Sequence, residues 1–225
     1  GYIPVNSESL DNVKYIFVGS EPSIAWAGKD GRKYIEQLNA GFRNFCYSIY
    51  DIVIHYSIRK YLGTSDYHIT DVSKFAVKVR EAGILDDKHI GKCLYLFKKE
   101  IGIVGENAKI ISIGGKVNRF LYNNGIECAG SIVHHGYRFI VKDTKESPNL
   151  YNDYDKYISS FDEDIFRECL NDITKSISHE QGFNSILEKN ILNSIEKKEI
   201  TDRIKVLAYR YMKEMSEIAS LPHQE

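Results

Sequence analysis

Val13-Lys14-Tyr15-Ile16-Phe17-Val18-Gly19, VKYIFVG, decides how this chain is read. β-Branched and aromatic residues follow one another without the polar alternation of a half-exposed strand, and a glycine closes the run. That is the pattern of a short strand buried on both faces, as in a parallel sheet. Residues 20–31 (SEPSIAWAGKDG) then read as a loop. From Lys33 to Tyr61 the apolar residues Ile35, Leu38, Phe42, Phe45, Ile49, Ile52, Val53 and Tyr56 recur at helical spacing, predicting one long helix or two.

The alternation continues. Residues 66–72 (DYHITDV) read as a second strand, 86–104 as a helix, and 108–114 (AKIISIG) as a third strand. A short helix over 116–125 ends on Asn124-Gly125, a helix stop, and 128–135 (CAGSIVHH) reads as a fourth strand. Strands alternating with helices predict an α/β fold, a four-stranded parallel sheet flanked by helices. In such sheets ligands bind beyond the carboxyl ends of the strands. Three of those ends carry polar candidates: Glu21, Asp71 and His134. After a connection rich in Tyr, Asn and Asp (149–157), helices are expected over 162–177, 180–196 and 199–219. The expected division is an α/β core over 1–150 and a helical C-terminal extension over 151–225.

Composition bounds the function. A 43% hydrophobic share of 225 residues is enough for a real core, and 12% aromatics argues against global disorder. No run of about 18 apolar residues is present, so no membrane span is expected. Neither is a signal peptide. Cys46, Cys93, Cys128 and Cys169 are widely spaced with no CxxC pair. They read as free thiols in a reducing, cytoplasmic compartment, with no metal or cofactor. The net charge of −1 conceals an asymmetry: residues 1–150 carry 20 Lys and Arg against 16 Asp and Glu, and the remainder 10 against 15. The basic part is the one suited to a polyanion.

These strand ends carry a resemblance. Gly19-Ser20-Glu21-Pro22-Ser23, directly after the first strand, resembles the first motif of the uracil-DNA glycosylase superfamily. HITDVSK (68–74) resembles its second-strand motif, with Asp71 where members carry a base-reading Asn. IISIGGKVNRFLYNNG (110–125) resembles a strand–helix unit of the family, and SIVHHGYRF (131–139) falls at its His-Pro-Ser motif, without the Pro. The resemblance covers roughly residues 12–140 and leaves the helical tail outside.

The resemblance implies a DNA glycosylase that flips a base and hydrolyses its N-glycosidic bond. Glu21 would stabilise the cation-like sugar and position water, and Ser20 beside it would help recognise the base. His134, with His135 as the alternative, would donate to the departing base. Tyr34 would be the stacking platform for the base; Trp26 and Phe45 are alternatives, Phe45 reading better as core. Lys74, Lys116, Gly114 and His135 are candidate DNA contacts, with Gly114-Gly115 before a helix able to hold a phosphate. A tight strand-to-helix turn explains the same glycines. No motif supports a lyase lysine.

Two departures from the family bear on substrate. An ionised Asp71 only accepts hydrogen bonds, so it would repel the 4-oxygen of uracil and accept from the exocyclic amine of cytosine. The family Tyr beside the 5-position of the base is Ser23 here, which leaves that wall open. Together they suggest a 5-modified cytosine, such as the hydroxymethylated or glucosylated cytosine of phage DNA. The expected partner is phage or damaged host DNA. The alternatives are uracil or mismatch repair, and a catalytically silent glycosylase-fold module that binds DNA or protein. Nothing in the sequence fixes an oligomeric state.

Overall fold

The computed structural model describes residues 12–21, 23–24, 45, 49–74, 77–78, 87–105, 107–178 and 200–220. In chain order its first elements are β1 (Tyr15–Gly19), β2 (Ser23–Ile24), α1 (Ile49–Leu62), β3 (Tyr67–Asp71), β4 (Val77–Lys78), α2 (Asp87–Val104) and β5 (Lys109–Ile113). They are followed by α3 (Gly115–Asn123), β6 (Gly130–Ile132), α4 (Ile140–Glu146), α5 (Pro148–Tyr151), α6 (Tyr154–Ser159), α7 (Glu163–Ser178) and α8 (Asp202–Ala219). The chain divides into two compact units.

The first unit contains both sheets with α2 and α3. Its parallel four-stranded sheet has the order β3-β1-β5-β6, and β2 pairs with β4 in a separate two-stranded sheet. β1 pairs with β3 from Tyr15↔Tyr67 to Gly19↔Asp71 and with β5 from Tyr15↔Lys109 to Val18↔Ser112. A central strand loses both faces to protein, which is why all five residues of β1 are apolar or glycine and buried. Alternation assigns the faces: Ile16 and Val18 join a core with Phe97, Val104, Val117 and Leu121, while Phe17 packs edge-on against Tyr67 at 6.5 Å. At about 1.5–3 kcal/mol for each fully buried large apolar side chain, this core is the main source of the unit's stability.

The end of α3 shows how closely the sequence dictates local structure. Ile126 N–H donates to Leu121 O (3.0 Å) and Gly125 N–H to Tyr122 O (3.1 Å), with Gly125 at φ 71°. This is the Schellman arrangement, in which only a residue without Cβ takes the left-handed position without strain. Ile126 and Leu121 share the apolar core that seals it.

The second unit is helical and takes α1 together with α4 to α8. α8 packs on α1, α7 on α1 and α4 on α8. α1 is buried on nearly every side from Ile49 to Ile58, the signature of a central helix. Tyr56 lies tilted against Phe161 at 5.1 Å and edge-on to Phe166 at 5.7 Å, and Tyr61 donates to Tyr157 across 2.8 Å. Arg59 and Asp172 tie α1 to α7 at 2.7 Å.

Several boundaries differ from the sequence expectation. A single helix from Lys33 to Tyr61 is excluded because Phe45 sits at φ 62°, and α1 starts at Ile49; residues 33–44 lie outside the described residues. The fourth strand is three residues long, because the chain turns at once, with Tyr137 N–H donating to His134 O (2.9 Å). The Tyr- and Asn-rich connection contains α5 and α6, Pro148 supplying the first turn of α5. The helix expected over 180–196 lies outside the described residues. The boundary expected at residue 150 falls within α5, inside the second unit.

Candidate active site

The sheet order places a switch point between β1 and β5. From β1 the chain crosses to β3 on one side, then returns past β1 to β5 and on to β6. Loops leaving neighbouring strands in opposite directions open a crevice beyond their carboxyl ends. Ser20 and Glu21 follow β1 at that edge, and Gly114 and Lys116 follow β5. Gly114 has φ 95°, in the region that excludes most side chains, so this strand-to-helix turn requires glycine.

Backbone pairing brings the two carboxylates to the same edge. Asp71 stands opposite Gly19, and the ladder continues beyond both strands through Val72 N–H to Gly19 O (3.0 Å) and Ser73 N–H to Ser20 O (2.9 Å). Both acids are buried, Glu21 at 9% and Asp71 at 1% relative exposure, which a surface acid would not be. Burial raises the pKa of Glu21 above its ordinary value, opposed by the Ser20 hydroxyl that donates to Oε2 and by the Lys116 ammonium.

A polar network stands behind Asp71 on α2. Glu100 Oε1 accepts from His68 Nε2 and from Thr70 Oγ1, each at 2.8 Å, and Glu100 pairs with Lys74. Lys74 Nζ in turn donates to Asp71 O at 2.6 Å and Thr70 Oγ1 at 2.8 Å. Burial pushes the Glu100 pKa up, but bonds from His68, Lys74 and Thr70 outweigh it and hold it below the usual value. The ammonium of Lys74 is thus held by Glu100, Thr70 and the Asp71 carbonyl.

His134 and His135 follow β6 and are described within the second unit. Val133 N–H donates to Glu214 Oε2 at 2.8 Å, fixing the segment before them to α8. Gly136 N–H donates to His134 Nδ1 at 2.9 Å. An imidazole nitrogen that accepts carries no proton, so His134 is the Nε2–H tautomer when neutral. Burial chiefly, then the neighbouring His135, push its pKa down to about 4 against the pull of Asp51. The residue is nonetheless exposed at the surface, and the shift is toward neutral imidazole. His135 is turned inward: Nε2 lies 3.5 Å from Asp51 Oδ1 and its ring is edge-on to Phe45 at 6.1 Å.

Protein-family models, curated proteins and solved structures give no match to this chain. The chemistry therefore rests on the residues themselves.

The remaining sequence candidates place as follows. Ser23 pairs through its backbone with Val77 of β4. Pro22, Trp26 and Tyr34 lie outside the described residues. Phe45 is buried, in keeping with a core role. Lys116 is exposed in the first turn of α3. Cys93, Cys128 and Cys169 are unpaired thiols, and no group of three or more potential metal ligands occurs among the described residues. Sequence reasoning missed Glu100, His68, Thr70, Asp51 and Gly136. A signal existed for His68 and Thr70, two polar residues at alternate positions of an otherwise apolar strand. Such residues must find buried partners.

Proposed function

We propose that this chain is a DNA glycosylase that hydrolyses the N-glycosidic bond of a flipped base and leaves an abasic site. The observation that carries the reading is the pairing of β1 with β3, which holds Glu21 and Asp71 at one sheet edge. One carboxylate serves the sugar and the other reads the base. As the glycosidic bond breaks, its electron pair leaves with the base and positive charge grows at C1′. Ionised Glu21 stabilises that charge and orients the water, which bonds to C1′ and passes its proton through the Glu21 carboxylate to solvent, while the departing base takes up a proton from solvent. In this reading His134 acts as a neutral donor: the bond from Gly136 leaves its Nε2–H to meet the charge growing on the departing base.

The base we propose is a 5-substituted cytosine, such as the hydroxymethylated or glucosylated cytosine of phage DNA. Asp71 accepts from the exocyclic amine, and Ser23 leaves the 5-position open. The Glu21→Gln variant tests the reaction. The parent should convert its duplex to alkali-labile abasic sites, and the variant should bind the same duplex with turnover reduced at least a hundredfold. Parent-like turnover by the variant would remove Glu21 from the reaction.

A further inference from the structure

His135 stands where the resembled motif has proline, and its surroundings are more elaborate than a turn requires. Its ring lies against that of His134 with centroids 4.4 Å apart and planes inclined by 26°. Its Nε2 lies 3.5 Å from the carboxylate of Asp51, a buried residue of α1. Its Nδ1 is buried with no hydrogen-bond partner among the described residues. Arg203 of α8 reaches its carbonyl at 3.4 Å. Phe45 braces the ring edge-on and holds φ 62°, a backbone conformation that costs a side-chain-bearing residue energy. Phe45 is itself held through its carbonyl, which accepts from the Nε2–H of buried His55 at 3.0 Å. A strained residue, a buried carboxylate and an unpaired ring nitrogen all converge on one imidazole. Packing alone would be served better by an apolar ring.

The geometry points to His135 as a positioning residue: anchored on Asp51 and braced by Phe45, it fixes the ring of His134, whose Nε2–H is the donor. The stack restricts the His134 ring from one face while Gly136 holds its Nδ1. The neighbouring His135 disfavours charge on His134, second to burial. The two helices packed here carry other titratable groups, among them Tyr50 and His55 of α1 and Arg203, Arg210, Tyr211 and Glu214 of α8. Glu214 is spent on Val133 N–H and on Arg210 at 2.6 Å, and among the described residues Asp51 is the acid paired with His135.

The inference rests on the reading of His134 as the donor, and its test has one arm independent of catalysis. Imidazole ¹⁵N spectra of the full chain would be recorded against pH for the parent, His135→Phe and Asp51→Asn. Phenylalanine keeps the stacked ring and removes the anchor; asparagine is isosteric and keeps His135. In the parent, His134 should appear as the neutral Nε2–H tautomer at neutral pH. In His135→Phe its titration should move up by about one pH unit or more; in Asp51→Asn, which removes a carboxylate that favours the charged ring, it should move down. In the kinetic arm, His135→Phe should lower kcat about tenfold while KM changes less than about twofold, the pattern of a misplaced reacting group. If His134 titrates and populates its tautomers identically in all three folded proteins, the inference is overturned. If the spectra shift as expected but no base leaves any duplex, the positioning role stands and the glycosylase reading fails.

Discussion

Replacing Glu100 by Gln removes one negative charge and almost no volume from the network behind Asp71. In the parent, His68, Thr70 and Lys74 all depend on that carboxylate. Hydrogen bonds to charged groups are worth about 1.5–3 kcal/mol each, and breaking a fully buried ion pair from one side costs about 3–5 kcal/mol. The side chains of Glu100 and Lys74 each retain 18% exposure, and Gln keeps one acceptor oxygen. The expected cost is therefore about 3 kcal/mol at pH 7, or about 6–12 °C in Tm for a chain of this size. The pH dependence gives the reasoning its sharper test. The folded-state pKa of Glu100 is depressed, so its stabilisation is fully present above the unfolded carboxylate value and is lost as pH falls through the folded one. Urea unfolding followed by circular dichroism at pH 7 and at successively lower pH below about 4.5 should show the gap between parent and variant closing in acid. A cost below about 1 kcal/mol at pH 7, or a gap that does not narrow in acid, would refute this account of the network.

The carboxylate assigned to the sugar behaves in the opposite sense. The pKa of Glu21 is raised by burial, so ionising it costs stability as pH rises. Glu21→Gln should thus be at least as stable as the parent at neutral pH, while its turnover falls by a factor on the order of 10² or more, about 3 kcal/mol. The acid limb of the parent's kcat profile should lie above an ordinary carboxylate pKa and vanish in the variant. Asp71→Asn should move preference toward uracil-like bases by about tenfold to a hundredfold in competition assays, since an amide supplies the donor that a carboxylate lacks. Ser23→Tyr should independently exclude 5-substituted bases. A Cβ at Gly136 would meet His134 Nδ1 at 3.0 Å and Cε1 at 3.1 Å, so Gly136→Ala should swing the ring aside and lower kcat about tenfold or more without unfolding the protein. Steady-state kinetics and thermal melting together check that separation.

The sheet was legible because a strand buried on both faces leaves a strong mark. VKYIFVG, DYHITDV and AKIISIG each become a strand within a residue or two of expectation, as does the helix that stops at Asn124-Gly125. Apolar periodicity says less about where a helix belongs. α1 shows the spacing of any buried helix, yet it joins the second unit rather than the sheet-bearing one, and nothing local to Ile49–Leu62 encodes that choice. The short helices α5 and α6 were hidden because Tyr, Asn and Asp are weak helix formers that tertiary packing overrides. Tyr154 and Tyr157 are buried beside Tyr209 at 5.5 and 5.2 Å. At the candidate site, Glu21 and Asp71 could be found as acids ending strands. The acid that holds that edge could not: Glu100 lies 32 residues from His68 and meets it only through the fold.

The most direct measurement of the central claim is release of free base from a panel of otherwise identical duplexes. The panel carries uracil, a thymine mismatch, cytosine, hydroxymethylcytosine or glucosylated cytosine. Mass spectrometry would identify the product, alkali would reveal the abasic site, and Glu21→Gln would serve as the control. The account predicts release of the 5-modified cytosine with little release of cytosine or uracil, and none above background from the variant. Efficient release of uracil with every modified cytosine untouched would contradict the assignment of Asp71 and favour ordinary repair, and no release from any duplex would contradict the glycosylase reading itself.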